Sequence, residues 1–197
     1  MRQRYAVIRE PADPDELFEQ VEDAFDVLSG RDDLVFVYAA TQEDDPRLRV
    51  HVWREVHERA LVRLVEDGAL RVRYLAVEGD SDGTAAAIED ALRAAVPTVA
   101  PAELRARARD EMGSDPDAVV RAALGSGGFD PETAELFRGA LSSPDVKLRQ
   151  SAAMAAALTR WRQLEPELES ALARESEPTA QELLRQALLD VRETSGG

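Results

Sequence analysis

The sequence predicts an α/β or α+β domain with a small sheet, followed by an all-α domain. Runs of β-branched and aromatic residues, which are typical of strands, lie before residue 100. Helix-start motifs that combine proline with an acidic residue recur after residue 100. Pro97 and Pro101 bracket a short linker, so we place the domain boundary there and expect domains at residues 1–98 and 99–197.

Composition and charge limit the classes of function. The chain has 39 acidic and 24 basic side chains, a formal net charge of −15. This charge disfavours nucleic-acid binding and suits a basic protein partner or a metal ion, although solubility alone gives the same sign. The lack of cysteine excludes disulfides, thiolate metal sites and thiol catalysis. We find neither a membrane-spanning apolar run nor a signal-peptide pattern, and we expect a cytoplasmic protein without membrane contact.

The first 45 residues predict a strand, a helix, a second strand and a loop. Arg4–Arg9 is short, β-branched and aromatic, as in a strand. A capping-box motif begins a helix at Asp13, apolar residues follow at helical spacing, and Gly30 ends it. Asp33–Ala40 is apolar without alternation, which indicates a strand covered on both faces. Thr41–Asp45 is an acidic loop.

Two patterns compete in residues Pro46–Asp67. Apolar and polar residues alternate over 47–52, as in a strand, and Asp67-Gly68 is suited to closing a hairpin. Against this, Asp45-Pro46 repeats the start signal of the first helix, and we favour a helix here. The residues that would share one helical face are Val52, Trp53, Val56, His57, Ala60, Leu61 and Leu64.

The last two elements of the first domain are a strand at Leu70–Val77 and a helix at Thr84–Val96, joined by the turn Gly79–Gly83. With a helix at Pro46–Asp67, the order is β-α-β-α-β-α, which predicts a mostly parallel three-stranded sheet flanked by helices. If that segment is strand instead, the domain becomes an antiparallel α+β sandwich.

Five helix-start motifs follow Pro97, and the segments between them are rich in alanine and leucine. The motifs are Pro101-Ala102-Glu103, Asp115-Pro116-Asp117, Asp130-Pro131-Glu132, Ser143-Pro144-Asp145 and Glu177-Pro178-Thr179. Leu148-Arg149-Gln150 also recurs as Leu184-Arg185-Gln186. The predicted packing residues are Phe137, Leu141, Met154, Leu158, Leu168, Leu172, Leu184 and Leu188.

The segment after Pro144-Asp145, with its Leu148-Arg149 step and alanine-rich run, resembles one helix of a HEAT-like (armadillo-type) repeat. Pro131–Leu141 would be its partner, and Trp161–Arg174 with Pro178–Arg192 the next pair. The resemblance implies a scaffold that binds a protein through a concave helical face. A plain helical bundle is the alternative, and residues 1–98 resemble no family that we recognise.

Four aspartates are candidate metal ligands. If the sheet is parallel, acidic residues at its strand ends would converge and could hold Mg²⁺. The four are Asp44, Asp45, Asp80 and Asp82. Helix capping and ordinary loop chemistry explain the same residues without a metal.

No other motif predicts a catalytic or cofactor site. His51 and His57 have no fixed carboxylate partner in the sequence and fit packing better than catalysis. Gly125–Gly128 follows a helix rather than a strand and lacks the lysine of a phosphate loop. We therefore predict no catalytic residue and no cofactor, with Mg²⁺ only under the metal alternative.

These patterns favour a non-catalytic interaction or scaffold protein that binds a protein partner through an acidic surface and a helical-repeat face. An immunity protein that neutralises a basic toxin is a specific form of this hypothesis. Exposed ridges around Asp145, Lys147 and Arg149, or the acidic first domain, are the expected contact regions. The alternative is a metal-dependent hydrolase or phosphotransfer domain that uses the strand-end carboxylates.

Overall fold

The computed structural model describes residues 2–193, which form two compact units. The boundary lies between Val99 and Ala100. Within the described residues, the first unit contains all the strands and two helices, and the second contains helices only. The predicted fold class, a domain with a small sheet followed by a helical domain, is confirmed in its α+β form.

Five strands form one antiparallel sheet in the first unit. They are β1 (Arg2–Val7), β2 (Phe36–Asp45), β3 (Leu48–Glu55), β4 (Ala60–Asp67) and β5 (Val72–Gly79). Their order across the sheet is β1-β5-β4-β3-β2, and each neighbouring pair is antiparallel. Strands β2 to β5 follow one another through short turns, which leaves β1 and β2 as the edge strands.

Two helices, α1 (Pro14–Asp32) and α2 (Asp82–Ala95), pack on one face of the sheet. The side chains of Asp13 and Ser81 accept hydrogen bonds from amides of the first turns and cap the two helices. Apolar residues at helical spacing on the helices meet alternate residues of the strands. The core between them includes Leu17, Val21, Leu28, Trp53, Val62, Leu64, Leu75, Val77, Ile88 and Leu92.

The prediction of a helix over Pro46–Asp67 is wrong, because this segment forms β3 and β4. Its many valines are restricted in a helix and suit a sheet, where they pack against apolar residues of neighbouring strands. In the turn between the strands, Glu58 adopts a φ of 60°. The Glu55 carboxylate accepts bonds from the amides of His57 and Arg59 and fixes this turn.

The parallel three-stranded sheet is wrong for the same reason. With two more strands in the segment, three consecutive hairpins make the pairs among β2 to β5 antiparallel, and β1 adds to β5 in an antiparallel sense as well, as in the alternative arrangement. Thr41–Asp45, predicted as a loop, continues β2 to its end. The Asp67-Gly68 turn does close the β4–β5 hairpin, and the Asp67 carboxylate accepts bonds from the amides of Ala69 and Leu70.

Gly79 ends β5 at the point where α2 packs against the sheet. A Cβ atom at this position would lie 2.7 Å from the amide nitrogen of Ala85. The missing side chain therefore lets the first turn of α2 approach the strand closely.

The described part of the second unit has six α-helices and one short 3₁₀ helix. They are α3 (Pro101–Glu111), α4 (Ala118–Leu124), α5 (Pro131–Leu141), α6 (Val146–Thr159), the 3₁₀ helix Arg162–Leu164, α7 (Glu165–Arg174) and α8 (Pro178–Glu193). All five predicted start motifs lie at or beside the start of a helix. Across residues 2–193, no helix combines the length and apolar character needed to cross a membrane.

These helices pack as three sequential pairs, α3 with α4, α5 with α6, and α7 with α8. Further contacts run from α4 to α6 to α8, and from α3 to α5 to α7. Helix α6 contacts α4, α5 and α8, and its buried face is made mostly of small side chains that allow close approach. That face consists of Leu148, Ser151, Ala152, Ala153, Ala155 and Ala156.

One predicted packing residue of this unit is misplaced. Met154 is 36% exposed, because the small residues on the other side of α6 face the core. The other predicted packing residues are buried or half-buried. Alanine at the contact positions therefore determines which side of α6 is internal.

Candidate protein-binding surface

The four aspartates considered as metal ligands divide between the two ends of the sheet. Asp44 and Asp45 end β2, whereas Asp80 and Asp82 follow the end of β5. Through the antiparallel register, the end of β2 lies level with the start of β5. The length of β5 therefore separates the two pairs by roughly 25 Å. The expectation that they converge depended on a parallel sheet.

Asp45, Asp80 and Asp82 lie in turns and at the start of a helix. The amide and guanidinium of Arg47 lie 2.8 and 3.5 Å from the Asp45 carboxylate, and they lower the pKa of Asp45. Asp80 accepts a 2.7 Å bond from the Thr84 hydroxyl, and Asp82 lies in the first turn of α2. Among the side chains that the structure describes, no group of three or more histidines, aspartates and glutamates is arranged to hold a metal ion.

A row of carboxylates covers the exposed side of α1. The buried side of this helix consists of Leu17, Val21, Ala24, Phe25 and Leu28. The exposed carboxylates are Asp15, Glu16, Glu19, Glu22, Asp23 and Asp26. None of these six, which we call the acidic row, makes an ion pair with any residue in the described part of the chain.

Arginine neutralises many of the carboxylates outside α1. Arg73 of β5 pairs at 2.5 Å with Glu10, which follows β1, and Arg63 of β4 pairs with Glu78 of β5 at 2.5 Å. On α1, by contrast, like charges three or four residues apart each cost about 0.2–0.5 kcal/mol of helix stability. The acidic row is thus slightly destabilising on its own and would gain from an external cation.

The edge strand β2 lies directly beneath α1. The rings of Phe18 and Phe25 lie 5.4 and 4.3 Å from those of Tyr38 and Phe36, respectively. No segment of residues 2–193 forms backbone hydrogen bonds with the side of β2 that faces away from β3. In an edge strand, alternate amide and carbonyl groups point outward, so β2 is open to pairing with another strand.

The first half of this edge is apolar as well as open. Residues 34–40 contain no charged side chain. Val35, Val37 and Tyr38 are 38, 50 and 44% exposed. Tyr38 lies on the face that α1 covers, and the two valines lie on the opposite face. The irregular register that could discourage pairing begins only after Tyr38.

The other edge strand, β1, is partly covered. Ile8, just beyond the strand, forms a bridge with Thr98. The amide of Arg9 donates to the carbonyl of Pro97 at 2.8 Å, and the amide of Val99 donates to the carbonyl of Val7 at 2.8 Å. The strand also begins with the basic sequence Arg2-Gln3-Arg4. An open apolar edge is therefore a property of β2 and not of β1.

His51 belongs to a cluster of polar and aromatic side chains near β2. Its Nδ1 lies 3.1 Å from the hydroxyl of Thr41 and 3.3 Å from that of Tyr38, and its ring packs against Phe18. Its Nε2 lies 3.6 Å from Glu66, which is too long for the hydrogen bond of a catalytic triad. The contacts of this cluster hold Tyr38 under α1. The second histidine, His57, is outside the cluster and exposed in the β3–β4 turn.

A cleft of about 470 Å³ lies beside the loops that precede α6 and α8. Arg149 pairs with both carboxylate oxygens of Glu175, at 2.6 and 2.9 Å, and donates to the carbonyls of Ser143 and Pro144. Glu175 also accepts bonds from the next two backbone amides. Arg149, which we expected on a contact ridge, therefore ties two loops of its own unit together.

Comparison with known proteins assigns no family. No protein-family model, curated protein or solved structure matches the chain. The HEAT-like character of the second unit therefore stays a prediction.

The acidic row could have been found in the sequence, but the open edge could not. Residues 10–30 contain eight carboxylates and no basic side chain, and a helix from Pro14 places six of them outward. The edge position of β2 depends on the hairpin order of the sheet, which the favoured helix at Pro46–Asp67 obscured. The two features together define the candidate surface.

Proposed function

We propose that this protein is a non-catalytic interaction protein that binds a basic partner protein through its acidic surface. The observation that carries the proposal is the acidic row of α1, which no residue in the described range neutralises. A basic partner can use each of these charges without first displacing an internal arginine. The net charge of −15 would also attract such a partner from a distance.

We propose in addition that the second unit is a HEAT-like scaffold. Three sequential helix pairs, with contacts that continue from α4 to α6 to α8, support this. Stacked pairs of this kind offer an extended surface to a partner. The exposed side of α6, with Lys147 and Met154, is the part of the central helix that a partner could reach.

The same acidic surface suits an immunity protein that covers a basic toxin, in which case the toxin's cationic site would face α1. The metal-dependent hydrolase or phosphotransfer alternative has less support. Its four aspartates lie at opposite ends of the sheet. Three of them, Asp45, Asp80 and Asp82, lie in a turn or at the start of α2.

A pair of charge variants tests the proposal. One variant combines Glu19→Gln, Glu22→Gln and Asp26→Asn and neutralises half of the acidic row. The control combines Glu58→Gln, Asp90→Asn and Asp110→Asn, which removes three exposed carboxylates that make no ion pair in the described chain. Both variants have the same net charge, so a difference between them reports the position of the charges.

The intact chain and both variants serve as bait in lysate of the source cell, and the captured protein is then purified and its Kd measured at two salt concentrations. We expect a basic protein whose affinity falls about tenfold or more with the α1 variant and less than about threefold with the control. Equal weakening by both variants, or a captured protein that is not basic, would contradict the proposal.

A further inference from the structure

We propose that the partner adds an extended, basic segment as a sixth strand beside β2, under the acidic row. This inference rests on the proposed function and deepens it, because it specifies the form and chemistry of the bound segment. The open backbone edge of β2 would supply the hydrogen bonds, as in other cases of strand addition. Side chains on the two faces of the sheet would supply the selectivity.

Helical spacing places the acidic row on the side of β2. Phe18 and Phe25 mark that side of α1, because both rings contact β2. Glu22 lies four residues after Phe18 and three before Phe25, and Asp15 lies three before Phe18. These two carboxylates therefore project above the open edge, on the face of the sheet that carries Tyr38.

The opposite face of the same edge is apolar. Val35 and Val37 are exposed there, and Val56 is 46% exposed. The amide of Val56 donates to the carbonyl of Val35 at 2.9 Å, which places Val56 opposite Val35 and on the same face. An added strand alternates its side chains between these two faces. The segment that fits best therefore alternates basic residues, toward α1, with apolar residues, toward the valines.

Charge decides against a second copy of this chain as the occupant. Pairing β2 with β2 of another copy about a twofold axis perpendicular to the sheet would place the two α1 helices side by side on one face. Their acidic rows would then approach each other, on molecules that each carry a net charge of −15. A basic segment meets the same edge with attraction instead of repulsion.

The experiment uses an eight-residue peptide of alternating lysine and valine, with blocked termini and a fluorescent label, and the intact chain. Two isomeric peptides carry N-methyl groups on all lysines or on all valines. In a paired strand, amides of one parity face the neighbour, so one isomer should lose about tenfold or more in affinity while the other stays close to the parent. If both isomers bind as the parent does, or the parent does not bind at all, strand addition is refuted.

Two protein variants locate the binding. Val37→Lys places a charge on the open edge, and we expect it to weaken the parent peptide about tenfold. Leu189→Lys is the matched control, because Leu189 is 54% exposed on α8 and Val37 is 50% exposed on β2. Equal effects of the two variants would show that net charge alone governs binding, which would also overturn the inference.

The α1 charge variant separates this inference from the proposed function. That variant could bind the peptide more weakly while both methylated isomers bind the parent protein equally well. This result would support the acidic row as the partner site and would reject strand addition at β2. A dimer in sedimentation that Val37→Lys dissociates would assign the edge to a second copy and overturn the basic-segment proposal.

Discussion

Glu55 and Glu175 are buried, one in each unit, whereas the six carboxylates of the acidic row are exposed on α1. Glu55 accepts bonds from the Arg59 guanidinium and from the amides of His57 and Arg59. Glu175 accepts bonds from the Arg149 guanidinium and from the next two backbone amides. The acidic row has no such cation in the described chain. Negative charge thus fixes loops at Glu55 and Glu175, whereas along α1 it is left available to a partner.

The hydrogen bonds explain how the buried groups stay ionised. Burial raises the pKa of the Glu55 carboxyl, but bonds from the guanidinium and amide of Arg59 and the amide of His57 outweigh it and hold the pKa at about 2. The Arg149 guanidinium, with the amides that follow Glu175, lowers the pKa of Glu175 to about 2 despite its burial. Both groups therefore favour the folded state while they are charged.

Lowering the pH should have the largest effect, because it removes the stability that the two buried glutamates provide. Because the folded pKa of each buried glutamate lies below its ordinary value of 4.5, its contribution is present above pH 4.5 and is lost as the pH falls toward 2. We expect each unit to lose up to about 3 kcal/mol of unfolding free energy over this range. Urea unfolding at a series of pH values measures it, and a flat profile between these limits would contradict the assignment.

Glu175→Gln should have the next largest effect. The substitution keeps the shape but leaves the Arg149 guanidinium, whose side chain is 19% exposed, without its charged partner. We expect the second unit to lose about 2–3 kcal/mol, and the acid-dependent loss of this unit to shrink. The control is Glu135→Gln, because the Glu135 side chain is 78% exposed and should contribute less than about 0.5 kcal/mol. Similar losses for both variants would argue against a special role for Glu175.

Neutralising the acidic row should have a smaller effect of opposite sign. Glu19→Gln, Glu22→Gln and Asp26→Asn together remove like-charge pairs on α1, and we expect the first unit to gain about 0.5–1 kcal/mol at low salt. Added salt should reduce this gain, because it screens the repulsion between the α1 carboxylates of the unmodified chain. The variant with Glu58→Gln, Asp90→Asn and Asp110→Asn should change little. A loss of stability in the α1 variant would mean that its carboxylates have internal partners.

Magnesium should have the smallest effect. Because Asp45 and Asp80 lie at opposite ends of the sheet, we expect Mg²⁺ to shift the Tm no more than sodium chloride of equal ionic strength. Alanine at either position should leave that comparison unchanged. A Mg²⁺-specific rise in Tm that Asp80→Ala abolishes would restore the metal hypothesis.

The sequence predicted most of the helices because their signals are local. Asp13-Pro14 and Asp130-Pro131 combine a cap with a first-turn proline, and both begin helices at the expected places. The second unit consists of such segments, so its element order could be predicted. The packing side of α6 was harder, since Met154 is apolar and yet alanine faces the core.

The sheet could not be predicted in the same way because its order is set by distant pairings. Residues Pro46–Asp67 fit a helical face by spacing, but their pairing with β2 and β5 decides the structure. The candidate site could be predicted only in part for the same reason. The acidic row follows from a local helix, whereas the open edge of β2 follows from the order of five strands.

Gly79 has a consequence for recognising relatives of this chain. Any side chain there would collide with the backbone at Ala85 and move α2 away from β5. Surface charges on α1 can change as partners change, but this contact tolerates almost no substitution. We therefore expect evolutionary descendants of the first unit to retain glycine at this position and a small residue at the contact on α2, even where the binding surface has diverged.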